Sequence, residues 1–345
     1  MADIRVGIKH LLARLVYYSG LFSTHLNNVG EGRSLTLMYH RIIPRSKAGA
    51  FLQPGMYVEP ETFDLHLRFL KKHFHVQPVS ALYPLASSGA RREEGKLSCA
   101  LTFDDGWADF YEYAFPLLVR HEISATVFLP TGFIGNDKLF WTERLGQIFA
   151  ETATAGTFDD FKVFVRQLLS LQGHVQVMPV MDFQEVVLET LKNYREEAIN
   201  EILGQLEKRF DIAMPSERRD FLNWEQIMEM QRTGLVSFGS HTETHRILTT
   251  LDQVEIHREV TRSMHSLMER KAVESKGVTF CYPNGNFNDT AIAQVKASGY
   301  SCAFTTRSGW NDLQTPLFAL KRVGVHQDIS YTEALMAYRI YSALV

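Results

Sequence analysis

The stretch Leu97–Gly106, LSCALTFDDG, constrains the fold most. It reads as a buried strand that delivers two adjacent carboxylates, Asp104 and Asp105, to its carboxyl end. A second stretch, SHTETH at Ser240–His245, follows the apolar run Leu235–Gly239 and supplies His241 and His245, four residues apart. That spacing lets two imidazoles face one ion. A carboxylate with two histidines leaves coordination positions open for water, as catalytic metal sites do. The spare carboxylate is what a hydrolase needs as a base. Side by side, two bare carboxylates repel, and a divalent cation resolves that conflict.

Further short apolar runs at Ser34–Arg41, His75–Val79, Ala125–Leu129, Val278–Tyr282, Ser301–Thr305 and Ala319–Val325 read as strands. Between them Pro60–His73, Asp109–His121 and Asn223–Gly234 have helical character. Such alternation implies βα units and a parallel sheet with its sites at the carboxyl ends. Over about 143–222 the rhythm changes to long amphipathic helices, Phe158–Leu171 and Phe183–Phe210. In the second, Val187, Leu191, Tyr194, Ala198, Ile202 and Leu206 trace one stripe, as expected of a helical insertion near the barrel mouth. The expected organisation is an N-terminal amphipathic helix (1–33) and one barrel domain (34–345) carrying that insertion.

Within 1–33, Ile4, Ile8, Leu11, Leu12 and Leu15 share one helical face, with basic residues elsewhere. The commoner use of such a stripe is docking on the helix's own domain; the alternative is peripheral contact with an anionic membrane surface. Arg5, Lys9, His10 and Arg14 keep the segment from forming a membrane span. A net charge of −3 without any Lys/Arg-rich run argues against nucleic acid as a partner. Cys99, Cys281 and Cys302 have no CxxC spacing and read as free buried thiols, which favours a reducing, cytoplasmic compartment, peripheral to the inner face of the membrane if the stripe is used there.

TFDDG at Thr102–Gly106 and SHTETH resemble the first and second motifs of the polysaccharide deacetylases, the NodB homology class of carbohydrate esterase family 4. LMYHRI at Leu37–Ile42 and PETFDLHLRFL are similar to the amino-terminal segment of many members, and the likeness spans roughly 34–142 and 223–326. It implies an α/β fold, a deformed (β/α)7-type barrel. It implies a metal-dependent hydrolase of carbon–nitrogen bonds that removes N- or O-acetyl groups from an acetylated saccharide in surface polysaccharide or glycan metabolism. Asp104 would be the base, and Asp105, His241 and His245 would hold a divalent metal, zinc first and cobalt, nickel or manganese as alternatives.

FCYPNG at Phe280–Gly285 resembles the third motif, with the Asn284 N–H as oxyanion donor and Tyr282 beside the substrate. Here Cys281 stands where the family has arginine and Asn284 where tyrosine is common; Arg322 is an alternative group to steady a carboxylate. His326 resembles the fifth-motif histidine and would be the leaving-group acid, and Trp310 resembles an apolar wall of the fourth. His40 could line the pocket, and Trp107 and Trp141 are candidates for sugar stacking or core packing. Competing readings keep the fold but take a small non-sugar amide as substrate, or retain only saccharide binding.

Overall fold

A computed structural model describes residues 2–30, 32–47, 52, 55–83, 93, 95–173, 177–214, 220–274 and 276–344, with side chains from Gly7 onward. Its strands are β1 (Leu35–Tyr39), β2 (Arg41–Ile42), β3 (Tyr57–Val58), β4 (Phe74–Val76), β5 (Leu97–Phe103), β6 (Ala125–Leu129), β7 (Val236–Ser240), β8 (Thr279–Cys281), β9 (Cys302–Phe304) and β10 (Val323–Gly324). Seven form one parallel path, β10-β1-β5-β6-β7-β8-β9, and β4 pairs with the start of β5. Residues 317–325 hydrogen-bond both to Ala303 and Thr305 at one end of this path and to Met38 at the other. The sheet therefore curls into the deformed (β/α) barrel that the alternating pattern implies. The deformation is in its short members: β8 and β9 have three residues each and β10 two.

Every residue of β5 is buried, as a strand covered on both faces requires. On its outer side Phe103 stacks on Tyr39 and meets Phe63 from helix Pro60–His73 edge-on. The expected helix Asp109–His121 begins instead as a π-helical turn, Phe110–Ala114, and becomes α-helical at Phe115–His121 with Pro116 in its first turn. Proline cannot donate to the preceding turn, so the helix restarts there. Helix Gln253–Glu269, which the strand pattern gave no reason to expect, opens with a capping box between Asp252 and Glu255.

The N-terminal helix, Ala2–Tyr18, docks on its own unit, but by a different face from the apolar stripe. Ala13 packs with Ala334 and Leu335, and the Tyr17 hydroxyl donates to Glu333. Small Ala13 lets the helices approach closely, while Ile8, Leu11, Leu12 and Leu15 remain exposed. The Ile4 side chain lies outside the described residues. No described helix is long and apolar enough to cross a membrane.

The chain divides into two compact units, one of residues 1–47, 54–136 and 220–345 and the other of 48–53 and 137–219. In the second, four helices, Trp141–Thr154, Phe158–Leu168, Val180–Leu191 and Glu196–Phe210, enclose Leu145, Phe149, Phe161, Phe183 and Leu203. The single long helix expected over Phe183–Phe210 is two helices. The Asn193 side chain donates to the Glu189 carbonyl at the break, and Arg195 is extended. The stripe is re-phased there: Tyr194 is exposed and Ile199, not Ala198, is buried.

Candidate active site

Asp104 follows β5 and its N–H donates to the Tyr39 carbonyl, which continues the strand pairing by one residue. Asp105 then turns the chain with φ 73° and Gly106 with φ 63°. A Cβ on Gly106 would stand 2.9 Å from Leu129, so this turn admits no larger residue without a shift. The tight reversal lets two adjacent carboxylates, which a continuing strand would send to opposite faces, reach one site with different partners.

The two carboxylates have different neighbours. Asp105 Oδ1 lies 3.4 Å from His241 Nε2 and 3.2 Å from His245 Nε2, and its Oδ2 accepts from Trp107 Nε1 at 3.1 Å. Asp104 instead receives both terminal guanidinium nitrogens of Arg322, each at 2.7 Å. Arg322 is wholly buried and also donates to the Thr305 carbonyl, Thr102 Oγ1 and Cys281 Sγ. Burial raises the Asp104 carboxyl, but Arg322 outweighs it and holds the group below its ordinary value. Burial likewise raises Asp105, and the two imidazoles overcome it and hold it well below the carboxylate range.

Arg322 answers the departure at Cys281. The arginine reaches Asp104 from the chain just before β10, and the thiol on β8 packs against it, 3.1 Å away. An arginine at 281 would compete for the same volume.

The histidine loop is fastened from behind. The His241 ring donates Nδ1–H to the Cys281 carbonyl at 2.7 Å, which fixes the ring's orientation and aims Nε2 at Asp105. Thr242 and His245 both have positive φ, and Thr242 Oγ1 accepts from the His245 N–H. Buried Glu259 accepts from the Glu243 and Thr244 N–H groups and from the Thr244 hydroxyl. Sequence reading missed Glu259; its signal was the capping box that starts its helix.

A tetrahedral ion with bonds of about 2.0–2.1 Å holds neighbouring ligand atoms about 3.3 Å apart. The Asp105 oxygen meets that separation from each imidazole, and Asp105, His241 and His245 could hold a divalent cation.

Other expected residues lie elsewhere. Trp310 packs on Phe74 and donates to the Ile340 carbonyl. Phe74 pairs with Leu97, the first residue of β5, so Trp310 sits at the opposite end of the barrel from Asp104, roughly 20 Å along the strand. It is not a wall of this site. Tyr282 alternates outward from Cys281, stacks on Phe287 and donates its hydroxyl to Phe318, so its side chain does not face the carboxylates. Asn284 is exposed in the turn after β8 with φ 55°, and Gly285 follows because a Cβ there would meet Thr306 Oγ1 at 2.1 Å. His326 Nδ1 lies 3.4 Å from Asp328, and its other charged neighbours are Arg339 and Lys9; none is a site residue. His40 Nε2, by contrast, stands 3.9 Å from Asp104 Oδ2 and is partly exposed. Trp107 is buried between Phe221 and the Arg41 guanidinium, so it orients Asp105 and does not stack on sugar. Trp141 lies in the helical unit, against its apolar core.

The family profile described as Polysaccharide deacetylase matches residues 91–303, which contain all four of these carboxylate and histidine residues. The chain belongs to the polysaccharide deacetylase family. Members are hydrolases of non-peptide carbon–nitrogen bonds, and this chain is such a hydrolase by family. Among solved structures it is similar to a Streptococcus pyogenes deacetylase, PplD, in complex with acetate (20% identity, TM-score 0.56, 88% of this chain and 97% of that one). It is also similar to IcaB from Ammonifex degensii (18%, 0.53, 89% and 97%) and to a de-N-acetylase from Aggregatibacter actinomycetemcomitans (16%, 0.52, 85% and 95%). No curated protein matches it.

Proposed function

We propose that this deacetylase removes acetyl groups, N-linked first and O-linked second, from a saccharide, with a divalent cation held by Asp105, His241 and His245. The observation that carries the reading is the division between partners: Asp105 shares one oxygen with two imidazoles, while both oxygens of Asp104 are taken by the Arg322 guanidinium. Zinc suits two imidazoles and a carboxylate; cobalt, nickel and manganese take similar sets. When bound, such a cation polarises the acetyl carbonyl and the attacking water.

This chain's own residues supply the rest. Asp104, kept ionised by Arg322, accepts the proton of the attacking water, a role typically worth about 10²–10⁴-fold. The Asn284 N–H in the turn after β8 donates to the developing oxyanion. His40, the histidine beside Asp104, takes the place expected of His326 and protonates the departing amine.

Acetate release from a panel of acetylated sugars by metal-reconstituted protein tests the reading. Asp104→Asn is expected to keep its metal and lose most turnover; equal release by both proteins would reject the base role. In the same assay His40→Ala is expected to fall further than His326→Ala, and the reverse order would return the acid role to His326.

A further inference from the structure

The N-terminal helix leaves an apolar row in solvent. Ile8, Leu11, Leu12, Leu15 and Tyr18, continued by Leu21 at the start of helix Leu21–Asn28, are each between 42% and 75% exposed. With 3.6 residues per turn, the first five cover about a third of the helix circumference. That arc lies opposite Ala13 and Tyr17, which hold the helix to its own unit. Single exposed apolar residues are ordinary, but a row of this length along one helix marks an interaction surface.

The surrounding charge selects the occupant. Arg14 is exposed at the border of the row, and Arg5 and Lys9 are further cations of the same helix sequence. The only acidic residue in the helix sequence is Asp3. Apolar residues on one face with cations beside them match a bilayer interface carrying anionic headgroups. A second copy fits less well, since pairing the row against itself across a twofold brings two sets of cations to one interface. We infer that helix Ala2–Tyr18 lies in the interface of an anionic bilayer, with its apolar row toward the acyl chains and Arg14 at the headgroups.

The placement has a consequence for the site. His10 Nε2 lies 3.2 Å from the Tyr331 hydroxyl, and Lys9 acts on His326. Both partners follow β10, so the helix's first turns reach the end of the barrel that carries Asp104. A bound helix therefore keeps that rim near the surface, where a lipid-carried saccharide would be presented. This last clause rests on the deacetylase reading; the binding itself does not.

Flotation of the full chain at low salt with vesicles of phosphatidylcholine, alone or mixed with phosphatidylglycerol, tests the inference. The wild type is expected to float with the mixed vesicles and far less with phosphatidylcholine alone. The double variant Leu11→Asp/Leu15→Asp is expected to lose at least about tenfold in partitioning, since each leucine forfeits its burial in the interface. Val254→Asp makes the same change at an exposed apolar position on helix Gln253–Glu269 and is expected to bind as wild type. Circular dichroism and acetate release from a soluble saccharide, both unchanged in the double variant, show that folding and the site are intact. Equal flotation of wild type and double variant, absence of vesicle binding, or a concentration-dependent dimer that the double variant abolishes would each overturn the proposal.

Discussion

The barrel unit and the helical unit bury different things. Among the described residues, the barrel unit buries Arg41, Asp104, Asp105, Asp109, Glu259 and Arg322, while the helical unit buries one charged side chain, Lys162, beneath a core of leucine, isoleucine, valine and phenylalanine. Lys162 resolves its charge locally by donating to the Met178 carbonyl. Taking a charge from water costs several kcal/mol unless a partner answers it. The barrel carries that cost at six residues, with Asp104, Asp105 and Arg322 meeting at the end of β5, which is where chemistry needs charge. Among its described residues the helical unit has no such cluster, and its buried side chains form an apolar core.

Breaking the comparison should have its largest effect at Arg322. Arg322→Met leaves the Asp104 carboxylate buried without its cation, and about 3–5 kcal/mol of stability is expected to go. The sign of the chemical effect follows from the same balance. Arg322 holds the carboxyl low against burial, so without it burial prevails, the carboxyl rises and less of the base is ionised near neutral pH. Denaturant melts are expected to show the stability loss, and the acid limb of the pH–rate profile should move to higher pH. An acid limb that stays in place would mean that Arg322 does not tune the base.

Phe161→Ala in the helical unit should cost a similar or slightly smaller amount, about 3–4 kcal/mol, through the cavity among Phe149, Phe158 and Phe183. Here the pH–rate profile of the folded fraction should not move. A shifted profile would show that the two units are coupled in function.

A smaller effect sharpens the contrast from the barrel side. His66 is fully buried, donates from Nε2 to the Ser330 carbonyl at 2.7 Å, and burial lowers it to about 4. In the unfolded chain an imidazole titrates near 6.5. The unfolded state therefore binds the extra proton between those values, and stability is full above about 6.5 and falls as pH drops toward 4, by about 3 kcal/mol. Thermal melts across that window should show the loss in wild type and a reduced slope in His66→Gln. Identical slopes would remove His66 as the cause.

Asp104, Asp105 and His241 were legible because they follow apolar strands directly, and His245 by its spacing from His241; parallel topology brings strand ends together whatever their distance in sequence. Arg322 was legible only as an alternative. Its partner is set by barrel closure, which brings 317–325 beside both β9 and β1. Tyr282 and Trp310 were misplaced for the complementary reason. A motif fixes position along the chain, whereas the strand face of Tyr282 and the barrel end of Trp310 depend on alternation and on the return path after β9. Glu259 was missed because the capping box of Asp252 and Glu255 marks the start of its helix but not the loop to which it makes three hydrogen bonds. The break at Asn193 was hidden because the apolar spacing continues through it out of phase.

Cation binding tests the central claim most directly. Equilibrium dialysis against zinc should give one tightly held equivalent for the wild type and for Asp104→Asn. Asp105→Asn, His241→Ala and His245→Ala should each weaken it severely, with far-UV circular dichroism unchanged. If Asp104→Asn alone abolished zinc uptake, or if Asp105→Asn left it intact, the assignment of roles to the two neighbouring carboxylates would be wrong.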